Sequence, residues 1–347
     1  MNRKASSFLI LLLSVFTSLS VHAFCVQTFN AYGAFYAADI AQRTRETAEQ
    51  LKADACSAIF LQEVFNRNRM NMYQQFSAEL ASTHENVPTG LTTSSGLQSL
   101  IKGEVLETKF YRFQVQTLVG IRKGFSVTRV RLKDLSSEVV LVNVHLHHSS
   151  TDSRMSQLAE LVEWRHKNPD LPLILAGDLN SNPDSIEYDF LVTALNLVDL
   201  GRQAIGGTYP AGYCTYCKDN PRSWDGFLSS KGPQDQTYDY VFSAPDPKTG
   251  IDFRGVSSQV NLKGRTGFTW SDHYGVQVEL KEVRQKRRSN QEKLEQLSAS
   301  LIQLKDLANR HKDARYRRNL KSLLVVEDHI KQLEQKAGFF YNYLMRL

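Results

Sequence analysis

The sequence predicts an α/β fold of packed sheets covered by helices, and three observations carry that reading. Strand-like and helix-like segments alternate along most of the chain, several strand-like runs are apolar without alternation, and helical and hairpin connections are mixed. The 347 residues suffice for one large domain or two ordinary ones. With 41% hydrophobic and 22% charged residues, a disordered or collagen-like chain is excluded. No apolar run inside the body reaches the ~18 residues that a membrane span needs.

At the N-terminus, Arg3 and Lys4 precede the apolar run Phe8 to Phe16, and Val21-His22-Ala23 places small residues at the −3 and −1 positions. This is the pattern of a signal peptide over residues 1–23, cleaved after Ala23, and implies a secreted or periplasmic protein. A retained membrane anchor is the alternative; bulky Phe24 argues against lipid attachment at Cys25. Cys25 to Asn30 then reads as a strand, and Asp39 to Lys52 as a helix with Ile40, Thr44, Ala48 and Leu51 at helical spacing. Ser57 to Gln62 is a short apolar strand that ends abruptly in Glu63. A β-rich stretch follows from about Ser95, with strands at Phe110–Leu118, Ser126–Leu132 and Glu138–Leu146.

Met155, Leu158, Ala159 and Val162 mark a further helix, and Leu171 to Ala176 a buried strand that stops at Gly177-Asp178. Residues 201–237, rich in Gly, Pro, Asn and Ser, read as one long surface loop. Tyr238–Ser243 and Tyr274–Leu280 close the body as strands. In the tail, Leu294, Leu297, Leu301, Leu304 and Ala308 recur at coiled-coil-like 3-4 spacing. After a basic break at Arg315, Arg317 and Arg318, the pattern resumes through Leu323, Val326, Ile330, Leu333, Ala337 and Phe340. A hairpin of two amphipathic helices over residues 281–347 is expected, docking on the body, pairing with a second copy, or contacting a membrane surface through 290–344.

The net charge of +6 is unevenly spread. Residues 281–347 hold 16 Lys/Arg against 8 Asp/Glu, whereas residues 24–280 hold 24 against 28. A mildly acidic body argues against a nucleic-acid-tracking surface, which is usually basic. The four cysteines, Cys25, Cys56, Cys214 and Cys217, suit disulfides in an exported chain. Cys25 and Cys56 open two predicted strands, so a bridge between neighbouring strands is the natural pairing. For Cys214-x-x-Cys217, no second Cys/His pair at zinc spacing supports a metal site, and whether the two join each other stays open.

Polar residues gather where buried strands end. Asn30, Glu63, His145, and Asp178 with Asn180 each end or follow an apolar run, while Asp239 lies in Tyr238-Asp239-Tyr240 and Asp272-His273 precedes the last strand. Burying so many charged groups without partners would cost several kcal/mol each, so convergence on a metal ion and an anionic substrate is the economical account. Phe29-Asn30, Leu61-Gln62-Glu63-Val64, Val144-His145-Leu146, Gly177-Asp178-Leu179-Asn180, Tyr238-Asp239-Tyr240 and Ser271-Asp272-His273 follow the order of the endonuclease/exonuclease/phosphatase superfamily, which residues 24–280 resemble throughout.

The resemblance implies a four-layer α/β/β/α sandwich, here with a C-terminal α-helical hairpin, that hydrolyses phosphate esters with Mg2+, or with Mn2+ or Ca2+ in its place. Carried over, Glu63 is the principal metal carboxylate, with Asn30 and Asp272 nearby. Asp178 and Asn180 orient the attacking water and a phosphoryl oxygen. His273 resembles the general base, held by Asp239, and His145 stabilises the transition state or assists the leaving group. Lys123, Arg154 and Arg222 are the candidate phosphate contacts. His147 and His148 read either as a second metal site or, better, as a surface loop.

Within the superfamily the chain is similar to neutral sphingomyelinases. The markers are Gly33 and Tyr36 after Phe29-Asn30, Gly96-Leu97, Lys123-Gly124-Phe125, Arg154 and Gln157 after His145-Leu146-His147, and the loop Thr208 to Trp224. It departs from that pattern in lacking C-terminal membrane spans and in carrying the helical tail. The expected partner is a phosphodiester, a lipid headgroup favoured over nucleic acid. A secreted non-specific endonuclease and a catalytically silent membrane- or partner-binding module are the alternatives.

Overall fold

The computed structural model describes residues 23–34, 37–76, 79–85, 94–116, 121–135, 137–224, 234–285, 289–314 and 320–346. The expected signal peptide up to residue 22, the marker Tyr36, Leu118 and the basic break at Arg315, Arg317 and Arg318 lie outside them.

Two six-stranded sheets stack face to face. One is built from β1 (Phe24–Asn30), β2 (Ala58–Gln62), β3 (Ala81–His84), β4 (Gln98–Ile101), β11 (Ile251–Asn261) and β12 (Gly275–Arg284), in the order β11-β12-β1-β2-β4-β3. The other is built from β5 (Gly103–Arg112), β6 (Gly124–Leu132), β7 (Glu138–His145), β8 (Leu173–Asp178), β9 (Val198–Asp199) and β10 (Asp239–Ala244), in the order β5-β6-β7-β8-β10-β9. Phe24, Val26, Phe60, Leu141, Ile174, Val241 and Val278 form the dry layer between them. Helices α1 (Ile40–Asp54) and α2 (Arg67–Phe76) cover the first sheet, where Ala48, Leu51 and Met70 pack on Phe29, Ile59 and Leu61. Helices α3 (Thr151–Lys167) and α4 (Ile186–Leu195) cover the second through Leu158, Val162, Phe190 and Leu191. This is the expected four-layer sandwich, with a short α5 (Leu200–Ala204) at its flank.

Each sheet contains one parallel pair, β1 with β2 and β7 with β8. These central strands are buried on both faces, β2, β7 and β8 as their apolar runs require and β1 with Gln27 and Thr28 buried too. The carboxyl ends of all four therefore lie where Asn30, Glu63, His145 and Asp178 emerge. Gln62 and Asn143 join the sheets directly below: Gln62 Nε2 donates to Asn143 Oδ1 at 2.8 Å, and Asn143 Nδ2 to Leu61 O at 3.1 Å.

Both disulfides are present. Cys25–Cys56 ties the start of β1 to the start of β2, as the strand positions suggest, and Cys214 bonds Cys217 within its own loop. Three segments differ from the sequence reading. The strand expected at Phe110–Leu118 is β5, which begins at Gly103 and leaves the sheet at Phe113. The loop expected from residue 201 begins inside α5, and Pro221–Trp224 forms a 3-10 turn within it. The boundary expected after residue 280 falls within β12, which runs on to Arg284.

The tail is a helical hairpin of α6 (Asn290–Ala314) and α7 (Leu320–Leu344), held antiparallel by Lys305–Glu334 and Lys312–Glu327 ion pairs. It lies on the outer helices of the body. Leu304, Leu307, Ala308, Leu323, Val326, Ile330 and Leu333 share one apolar core with α3 and α4, so the stripe docks on its own chain. Ser322 at the start of α7 bonds Asp152 Oδ1, and Arg310 faces Asp189 at 3.8 Å.

Candidate active site

Every strand-end residue singled out in the sequence arrives at one place. Asp178, the last residue of β8, is the hub. Its Oδ2 accepts from Asn30 Nδ2 at 2.9 Å and lies 3.3 Å from His145 Nε2 and 3.8 Å from His273 Nε2. Its Oδ1 accepts from the Asn180 backbone at 2.8 Å, while Asn180 Nδ2 donates to Leu146 O. Glu63 follows β2 with φ 57°, a left-handed turn that carries its side chain out of the strand; that side chain is 20% exposed and lies 3.9 Å from His145 Nε2. Directly paired with Asp178 on the neighbouring strand, Asp239 at the start of β10 accepts from His273 Nδ1 at 2.8 Å, and Thr215 Oγ1 takes the Asp239 and Tyr238 backbone N–H groups. Asp272 adjoins His273 and accepts from Ser271 Oγ, which also bonds Asn30 O at 2.6 Å.

The electrostatics are those of crowded carboxylates out of water. Burial pushes Glu63, Asp178 and Asp272 up, Asp272 to about 7, each against the pull of nearby cations. For His273 burial favours the neutral ring, but Asp239 and Asp178 outweigh it and hold the ring well above its ordinary value. Lys123 is brought down to about 8 by burial, and its Nζ contacts His145 Nε2. His145 is held neutral by burial and by Lys123, with its Nδ1 buried and unpartnered among the described residues.

Oxygen-rich donors with too little positive charge nearby are what a hard divalent cation takes, so this set fits one. Among the described residues, the group of three whose donor atoms lie within 4.8 Å of one another is Asp178, Asp239 and His273. There His273 Nδ1 and Asp239 Oδ2 already bond each other, which is the geometry of an oriented imidazole. Glu63 and Asp272 are the partly exposed carboxylates of the cluster, near enough for Glu63 to hinder ionisation of Asp272, with Asn30 bonded to both Glu63 and Asp178.

The candidate phosphate cations divide. Lys123 faces the cluster. Arg154 does not: its Nε and Nη2 hold Glu187 Oε1 at 2.9 and 2.7 Å, and the rest of its fork takes His147 O, His148 O and Thr151 Oγ1. Arg222 is likewise engaged, by Thr269 O and Asp39 and stacked on Phe268, so both arginines brace loops. His147 Nδ1 accepts the Ser149 and Ser150 N–H groups, a turn rather than a ligand. Two contributors were not read from sequence: Thr215, and the Tyr216 ring at 5.2 Å from His273, which Tyr238 flanks at 6.2 Å. The dense run Tyr213 to Cys217 was their available signal.

Comparison with known proteins identifies the family and the fold. The profile of the Endonuclease/Exonuclease/phosphatase family matches residues 28–273. Sphingomyelinase C from Streptomyces griseocarneus superposes with a TM-score of 0.57 at 16% identity, covering 74% of this chain and 99% of that one. A Staphylococcus aureus beta toxin variant with bound magnesium ions gives 0.55 at 14% over 74% and 99%. Truncated Caenorhabditis elegans TDP2 gives 0.54 at 17% over 75% and 98%. At these identities the likeness is one of fold. A curated relative, the Arabidopsis thaliana carbon catabolite repressor protein 4 homolog 3, is 29% identical over 89 residues, 24% of this chain, and the chain spans only a fifth (20%) of that relative's length.

Proposed function

The chain belongs to the Endonuclease/Exonuclease/phosphatase family, and from that premise we propose that it is a secreted or periplasmic phospholipase C-type phosphodiesterase that cleaves sphingomyelin or a related choline-type lipid. Metal-dependent hydrolysis of phosphoric diesters comes with the family; the lipid substrate is our reading. The observation that favours it is the lining of the site. Two half-buried tyrosines, Tyr216 and Tyr238, flank His273, and of the candidate phosphate cations only Lys123 remains available. Aromatic faces attract a quaternary ammonium headgroup. A nucleic-acid groove instead needs several unengaged cations along its path, and Arg154 and Arg222 are consumed by their own loops.

In this reading Glu63 and Asp272, with Asn30 beside them, hold the divalent ion. Bound there, the ion would neutralise charge developing on the phosphoryl oxygens. With the carboxylates that hold the His273 ring charged offset by a bound ion, Nε2 is left free to take the proton of the attacking water, while Asp239 fixes the tautomer and stabilises the imidazolium that results. Asp178 and Asn180 hold the water and a phosphoryl oxygen in line. Lys123 and His145 meet beside Asp178, where Lys123 can offset charge and His145 can contact the leaving oxygen. Mg2+ is the expected ion, with Mn2+ or Ca2+ as substitutes; all suit a carboxylate-and-amide oxygen set.

The test is purified protein with Mg2+ on sphingomyelin vesicles, with plasmid DNA in parallel and EDTA as control. EDTA-sensitive release of phosphocholine is expected. DNA degradation without phosphocholine release at any metal concentration would replace the lipid reading with the nuclease one.

A further inference from the structure

We propose that Arg43 is a positioning residue for the divalent-ion site, holding the loops that carry Asn30 and Asp272 at a fixed separation; this rests on the reading above that those residues ligate the ion.

Arg43 sits in the first turn of α1, on the outer face of the first sheet, and is among the largest fully buried side chains. Among the described residues no carboxylate bonds it. Its fork instead gathers carbonyl oxygens from separate stretches of chain: Nε donates to Ala38 O at 2.9 Å, Nη1 to Ala31 O at 3.2 Å and Trp270 O at 2.7 Å, and Nη2 to Tyr32 O at 3.0 Å. Ala31 directly follows Asn30, and Trp270 stands two residues before Asp272. One planar cation thus spans the β1 exit and the segment entering β12, 227 residues away in sequence. Burial lowers Arg43 to about 10, so it is still charged at neutral pH, and the negative charge of Asp272 is among its favourable neighbours.

Other contacts make the joint stiff. Ser271 Oγ donates to Asn30 O at 2.6 Å, linking the same two loops beside the ligands. One turn along α1, Glu46 accepts from the Trp270 indole Nε1 at 2.8 Å, giving the helix a second hold on that residue. At Gly33 a Cβ would fall 1.9 Å from Glu63 O, so the loop braced by Arg43 also lies directly on the backbone of the third ligand. Groups that orient metal ligands without touching the ion change affinity by about 10–100-fold when removed. A lysine has one nitrogen and cannot reproduce a fork that reaches three segments.

The experiment compares wild type, Arg43→Lys and Arg165→Lys. Arg165 is a matched control: buried, lowered to about 10 by burial, and bonded to Asn168 O, Asp170 O and Leu171 O away from the site. Mg2+ binding is read by isothermal titration calorimetry and Mn2+ binding by EPR, with thermal unfolding and kcat at saturating metal alongside. Both variants should unfold at lower temperature. Only Arg43→Lys should weaken ion binding, by about 10–100-fold, with kcat at saturating metal nearly kept. If Arg43→Lys does not fold, Trp270→Phe, which cuts the Glu46 tie and spares the arginine, should weaken ion binding in the same direction by a smaller factor. Unchanged ion affinity in the folded variant overturns the proposal. Wild type binding no divalent ion would overturn the reading on which it rests.

Discussion

Asp239 shows what a single oxygen does here. Its Oδ2 receives the His273 Nδ1 proton at 2.8 Å, while Oδ1 is buried without a partner among the described residues. Asp239→Asn keeps the shape but can present an N–H to Nδ1, which reverses the tautomer and removes the lone pair that must face the water. A loss of about 10^3–10^4 in kcat is expected, with KM little changed; initial rates beside a thermal melt check it. Gly177 is a second case. It has φ 148°, and a Cβ there would stand 2.0 Å from Val144 O in the paired strand β7. Gly177→Ala should therefore cost about 3 kcal/mol or more, measured by urea unfolding. Glu63, His145 and Asp178 were legible because a charge at the end of an unbroken apolar run has few innocent explanations. Arg43 was not: one arginine in an amphipathic helix is spelled the same way whether it meets water or carbonyls. Arg154, which the resemblance offers as a phosphate contact, is a related case, because residue type does not say that Glu187 will claim the fork.

The elements that could be read from sequence are those whose pattern is produced by burial alone. Strands β2, β7 and β8 lie inside the sandwich, so their apolar runs are continuous. Strand β11 is an edge strand with a bulge between Gly255 and Ser257, which breaks the alternation that would have disclosed it. Helix α4 is apolar on most sides because the tail covers its outer face; its signal was Ser185, which caps Tyr188 N, with Glu187 and Asp189 in the first turn. The seam between tail and body carries a pH dependence. His329 of α7 stacks on His166 of α3 at 5.5 Å and meets Phe190 of α4 edge-on at 5.5 Å. Both histidines are lowered to about 4, by burial first, with Lys336 adding to it for each; Arg165 faces His166 and Asp328 faces His329 with the opposite sign. Unfolded, each would titrate near 6.5. Their neutral packing is thus fully stabilising above pH 6.5 and is progressively lost as pH falls toward 4. The melting temperature should drop across that window, and His329→Phe should flatten the drop; hydrogen exchange would place the loss in α7.

On the scale of the whole molecule, charge and chemistry are carried by different parts of one chain. The body, residues 24–280, is acidic by 28 to 24, and the tail, residues 281–347, is basic by 16 to 8. The middle of the hairpin's apolar stripe is spent on α3 and α4, while Ile302, Leu324, Phe339, Tyr341 and Met345 stay exposed on the tail beside its polar faces. Lys321, Lys331 and Lys336 are exposed along α7, and near an anionic membrane each lysine contributes about 1 kcal/mol. We therefore expect the combined change Lys321→Glu, Lys331→Glu and Lys336→Glu to weaken association with phosphatidylserine-containing vesicles by about 100-fold or more at low salt. Binding of the wild-type protein should fall steeply as ionic strength rises and the Debye length shortens, while the variant stays insensitive. Hydrolysis of a detergent-dispersed lipid should be the same for both, because the substituted side chains lie on the tail and not at the strand ends. Vesicle sedimentation across a salt series, paired with the detergent assay, separates the two roles. Equal vesicle binding by the two proteins would mean that the positive charge of the tail serves no surface, and would leave any contact to its exposed apolar side chains.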